Sequence, residues 1–153
     1  MKKKETGISN ITTKRPVAIK AITSKPVFPK KRFEDGYGND LRVFDIDCLK
    51  GVAKLEIGND CFQKVNRFVI DGLNVLKSVS IGLRCFNLDK NNMFGSSCVI
   101  MNCDQLNEIH CGRGSFYWYE SFELKNLPSL KSIQLDLGVF ISCRRIVFDS
   151  MTD

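Results

Sequence analysis

VAKLEIG (52–58), LKSVSIG (76–82), LNEIHCG (106–112) and LKSIQLD (130–136) are variants of one phrase. Aligned on it, Leu55, Val79, Ile109 and Ile133 share one apolar phase, and Ile57, Ile81, Cys111 and Leu135 share the next. Working outward, Phe62, Phe86, Phe116 and Phe140 form an aromatic column, and Ile70, Ile100, Leu124 and Phe148 a second apolar one. The first three columns recur after 24, 30 and 24 residues and the last after 30, 24 and 24, so the unit between Phe86 and Ile100 holds a six-residue insertion, which falls in the polar, turn-rich NLDKNNMFGSS at 87–97. A period of this length predicts stacked coils, each with an apolar side that only its neighbours can cover.

Within a unit, KLEIG and SVSIG alternate apolar with polar residues, which is strand periodicity, and RFVID and SFELK predict a second strand per coil. Gly58, Gly82 and Gly112 are expected to end the first strand in a left-handed conformation. Because the same strand recurs in the same direction, each sheet must be parallel. The expected fold is mainly β: a right-handed solenoid over 33–153 with a Phe-rich interior and units near 49–72, 73–102, 103–126 and 127–150. A partial coil should precede them, since VFDIDCL (43–49) mimics RFVIDGL (67–73) behind the polar turn EDGYGND (34–40). At the other end Met151 takes the phase of Leu49, Leu73 and Leu127, and no polar capping unit follows. Two readings stand: a fragment of a longer repeat array with no function of its own, or an end that docks on another molecule, end-to-end self-association included.

Charge is uneven. Residues 1–32 hold ten Lys or Arg and the single acid Glu5, whereas the remainder holds thirteen basic and sixteen acidic residues, so the net +6 belongs to the leader. With Pro16, Pro26 and Pro29 and no sustained period, 1–32 reads as a disordered basic tail. Its apolar stretch is too short for a secretory signal, and no segment reaches the length of a transmembrane helix. A cytoplasmic location follows, with a nuclear one as alternative. Lys2, Lys3, Lys4, Lys14, Arg15, Lys30, Lys31 and Arg32 offer the alternative function, attraction of nucleic acid or an anionic membrane surface by counterion release.

The seven cysteines include no C-x-x-C pair. Cys98, Cys103, Cys111 and Cys143 take apolar phases, while Cys61 and Cys85 share a phase beside the core phenylalanines, so buried free thiols acting as small hydrophobes are expected. One histidine, His110, gives no second ligand for a zinc site, and its neighbours by stacking are Ser80 and Gln134. No enzyme and no cofactor is expected.

On Val52, Leu55, Ile57 and Phe62, then Leu76, Val79, Ile81 and Phe86, then Leu106, Ile109, Cys111 and Phe116, the chain resembles the leucine-rich repeat family, in particular its BspA-like variants, over roughly 41–153. It departs from them where many such repeats place an inter-coil asparagine, having Asp60, Arg84, Gly114 and Gly138 there. The resemblance implies a protein partner bound by the concave sheet. That face would carry the outward ladders Lys54, Ser78, Glu108, Ser132 and Glu56, Ser80, His110, Gln134. A second candidate surface is SFYWYESF (115–122), where Tyr117 and Trp118 are left on a turn facing water unless Met93 and Phe94 of the insertion cover them.

Overall fold

The structure is a computed structural model and describes residues 29–149. Lys2, Lys3, Lys4, Lys14, Arg15 and Met151 lie outside the described residues. Nine strands form two sheets: β1 (Lys30–Phe33), β2 (Lys54–Ile57), β3 (Arg67–Asp71), β4 (Ser78–Ile81), β5 (Ser97–Met101), β6 (Glu108–Cys111), β7 (Ser121–Lys125), β8 (Ser132–Leu135) and β9 (Arg145–Asp149). The first sheet runs β1-β2-β4-β6-β8 and the second β3-β5-β7-β9. Every pairing is parallel and in the register of the repeat, with Leu55, Val79, Ile109 and Ile133 directly opposite one another. The molecule is a mainly β solenoid of about five turns. No helix among the described residues is long and apolar enough to cross a membrane.

At the start of the stack one expectation is corrected. The boundary at residue 32 fails because Lys30, Lys31 and Arg32 are strand, not tail: β1 pairs with β2, Arg32 opposite Glu56 and Phe33 opposite Ile57. The sequence hid this strand because Lys31 stands at an inward phase, opposite Leu55. On an edge strand the lysine tolerates that position, with its Nζ 5.0 Å from the centroid of the Phe33 ring. Conversely, VFDIDCL forms no strand. Phe44 and Leu49 keep their buried phases, but Ile46–Leu49 is a 3-10 turn capped by Asp45, whose Oδ1 accepts from the Asp47 N–H at 2.9 Å. The first coil therefore contributes a strand to one sheet only.

The interior is the aromatic column. Phe62, Phe86, Phe116 and Phe140 are all buried, and successive rings stack at 5.3, 4.7 and 4.8 Å with interplanar angles of 16°, 3° and 12°. All four adopt left-handed backbone, φ 51–56°, rare for so bulky a residue. A second left-handed position stands two residues earlier, at Asp60, Arg84, Gly114 and Gly138. Each coil thus turns on a pair of left-handed residues that aims the second one's ring inward. Burying that ring is worth about 2–3 kcal/mol, more than the roughly 1–2 kcal/mol that left-handed backbone costs.

The glycines that close the first strand serve a different purpose from the one expected, because Gly58, Gly82 and Gly112 are not left-handed. A Cβ on Gly82 would lie 2.7 Å from the Gly58 carbonyl, and one on Gly112 would lie 2.6 Å from that of Gly82. Close approach of backbone between coils requires them.

Side chains also tie coil to coil. Asn59 donates its backbone N–H to Asp35 Oδ1 at 2.8 Å, and its own Oδ1 accepts from the Leu83 N–H at 2.9 Å. Asp35 and Asn59 thus hold equivalent positions and make the same link in successive coils, whereas Leu83, Arg113 and Leu137 follow at that position. Beside it, Cys61 Sγ donates to the Glu34 carbonyl at 3.1 Å, Cys85 Sγ to Gly58 at 2.8 Å and Ser115 Oγ to Gly82 at 2.7 Å. All seven thiols are free: five are buried, Cys48 is exposed and Cys143 half-buried.

The insertion sits between Phe86 and β5, with a 3-10 turn at Lys90–Asn92. Within it Leu88 is buried in the core, and Tyr119, fully buried, reaches two coils back to donate its hydroxyl to the Val65 carbonyl. In the last described coil the inward residues lack a following strand among the described residues. Ile146 is 58% and Phe148 55% exposed there, whereas their column partners Phe122 and Leu124 are buried.

Candidate binding surface

The outward ladders of the first sheet are assembled as the alternation requires. Parallel registry sets Lys54, Ser78, Glu108 and Ser132 in one row and Glu56, Ser80, His110 and Gln134 in the next. All eight, from four adjacent strands, line one shallow groove of about 360 Å³. A second shallow depression of about 350 Å³ adjoins it over the glycine row, lined in part by Arg32, Glu56, Ser80, His110 and Asp136.

Charge along the groove is arranged by the coils. At the start Glu56 faces Lys30 and Arg32, each at 3.5 Å, and Arg32 also contacts Glu34 at 3.0 Å. At the far end His110 Nε2 lies 3.0 Å from Asp136 Oδ2, and Gln134 Nε2 donates to Asp136 Oδ1 at 3.1 Å. The Gln134 hydrogen bond, then the one from His110, holds the Asp136 carboxyl below its usual range. This partner was invisible in the sequence reading, because Asp136 takes the place that glycine holds in the preceding coils. No hydrogen bond joins His110 to Ser80 among the described residues, and the neighbouring N–H groups of Gly82 and Gly112 are engaged by the carbonyls of Ile57 and Ile81. No group of three metal-ligating side chains gathers among the described residues.

The aromatic turn differs from its expected form. Tyr117 and Trp118 are half-buried, with Trp118 packed against the core and Lys90 Nζ 5.8 Å above its ring. The insertion is fastened here as well: Ser96 Oγ accepts from the Glu120 N–H at 2.9 Å, and the Gly95 N–H donates to Glu120 Oε1 at 3.2 Å. It does not cover the turn with its own aromatic, since Phe94 is 84% exposed.

Sequence reasoning passed over the outer face of the second sheet. Register aligns Val69, Val99, Glu123 and Val147 there, a less polar row than the first sheet presents. The alternation of RFVID holds the signal, since it sets Val69 between the inward Phe68 and Ile70.

These features define a class, a β solenoid of parallel strands with one polar grooved face. No protein-family model matches the chain, and neither a curated protein nor a solved structure matches it.

Proposed function

We propose that the chain is a non-catalytic, leucine-rich-repeat-like module that binds a protein partner through the outward face of its five-stranded sheet. The observation that supports this reading is the single groove formed by Lys54, Glu56, Ser78, Ser80, Glu108, His110, Ser132 and Gln134. A surface that is polar, mixed in charge and spread over several coils suits an extended macromolecular contact better than an enclosed small molecule. The half-buried Tyr117 and Trp118 stand at the adjoining turn as a secondary anchor. Five buried unpaired thiols suit a reducing compartment, cytoplasm or nucleus. The alternative, attraction of a polyanion by the basic residues, is less favoured at Lys30 and Arg32, which are paired with Glu56 and Glu34.

The test is affinity capture from cells with three baits: the wild-type chain, a ladder variant (Glu108→Ala, His110→Ala and Gln134→Ala) and a control altered on the other sheet (Val69→Ser and Val99→Ser). A partner retained by the control and lost by the ladder variant, with thermal midpoints preserved, supports the reading. Equal capture by the ladder variant contradicts it.

A further inference from the structure

The six-residue insertion builds a second site that the ladder does not use. It borders a surface cavity of about 490 Å³ that spans three coils, with Arg42 from the first, Gln63, Lys64 and Asn66 from the second and Asn87, Asp89, Asn91, Asn92 and Phe94 among those from the third. We propose that this cavity binds a carboxylated saccharide.

The amides carry the argument. Asn39, Gln63 and Asn87 occupy the same position in successive coils. The first two are accounted for by the scaffold: Asn39 Oδ1 accepts from the Gln63 N–H at 3.1 Å, and Gln63 Nε2 donates to the Arg84 carbonyl at 2.6 Å. Asn87 makes no such bond among the described residues, and neither do the side chains of Asn66, Asn91 and Asn92 around the same cavity. Four primary amides, each presenting donors and an acceptor, therefore face one concavity with no structural employment. Vicinal hydroxyls, themselves both donor and acceptor, are the groups that such amides pair with.

Two further features narrow the class. Phe94 stands at the rim with its ring 84% exposed, a flat apolar surface against which the C–H face of a pyranose can lie. Arg42 and Lys64 are exposed on the same wall, are in no ion pair with a described acid and outnumber the one acid of the lining, Asp89, which caps the Asn91 N–H at 3.3 Å. Two unpaired cations beside the amides call for an anionic substituent, and the planar Arg42 guanidinium matches a carboxylate in bidentate fashion.

The experiment is titration of the full chain by heteronuclear NMR with oligosaccharides of galacturonate, glucuronate and N-acetylneuraminate, with maltotriose and cellotriose as neutral comparisons and a Glu-rich peptide as an acidic non-sugar. An acidic saccharide should bind at millimolar concentration or tighter and shift the amide resonances of Asn66, Asn87 and Asn91. Phe94→Ala and Arg42→Gln, both exposed positions, should each weaken it by roughly tenfold without moving the thermal midpoint, while Glu108→Ala on the ladder should leave it unchanged. The proposal is overturned if no acidic saccharide binds at that concentration, if the neutral sugars bind equally well, if either cavity variant binds like wild type, or if the peptide alone occupies these residues.

Discussion

Cys85 donates its thiol proton to the Gly58 carbonyl inside the stack, and burial pushes its pKa up to about 12, as it does that of Cys111. An unfolded thiol ionises near 9.0, whereas these two hold their protons to about 12. Between those values the unfolded chain binds fewer protons, so stability must fall as pH rises. Each thiol should contribute a slope of about 1.4 kcal/mol per pH unit above pH 9. Denaturant titrations at pH 8 and pH 10 measure it, and a flat profile would contradict the burial of both groups. The hydrogen bond itself is tested by substitution. Cys85→Ser keeps a donor and, like Ser115 in the next coil, should be tolerated, whereas Cys85→Val strands the carbonyl and should cost about 1–3 kcal/mol. At this scale the sequence disclosed which residues are inside but not what they do there, because an apolar phase does not distinguish a thiol that fills space from one that donates. The left-handed phenylalanines were equally illegible: a ring column shows as a period, its backbone conformation does not.

Among the elements, β2 through β9 were legible because each interior strand carries apolar residues on its inward phase. β1 was hidden by Lys31, and residues 43–49 carry the pattern of a strand without being one. The second case shows that a phase can be satisfied by a 3-10 turn as well as by an extended segment, provided Phe44 and Leu49 reach the core. The insertion was located from spacing alone, but its consequence for packing was not. Leu88 of the insertion stays in the core, and Tyr119 bonds the Val65 carbonyl across two coils. Tyr119→Phe keeps the ring and removes the hydroxyl that donates to Val65, so it should destabilise by about 1–3 kcal/mol with little change of secondary structure. Urea unfolding followed by far-UV circular dichroism gives the value, and a change within about 0.5 kcal/mol, typical of surface substitutions, would mean that the bond does not form.

For the whole molecule, the ladder residues were legible in the sequence because strand alternation and a parallel register leave them no other face. What lies around them was not, since Asp136 joins His110 only through the curl of one coil onto the next. Equivalent coils also imply that one can be removed. Deleting residues 54–77 joins Ala53 to Ser78 in register, so β1 pairs with β4, and the shortened chain should still unfold cooperatively, with a smaller denaturant slope in keeping with its smaller buried surface. A core without translational repetition would not survive loss of 24 contiguous residues.

The winding itself is read most directly from cross-strand proton contacts in an NMR spectrum of the full chain. Parallel strands about 4.8 Å apart should give contacts that link Leu55 to Val79, Val79 to Ile109 and Ile109 to Ile133, in steps of 24, 30 and 24 residues. An antiparallel pattern, or contacts that miss those steps, would contradict the solenoid and remove the groove built upon it.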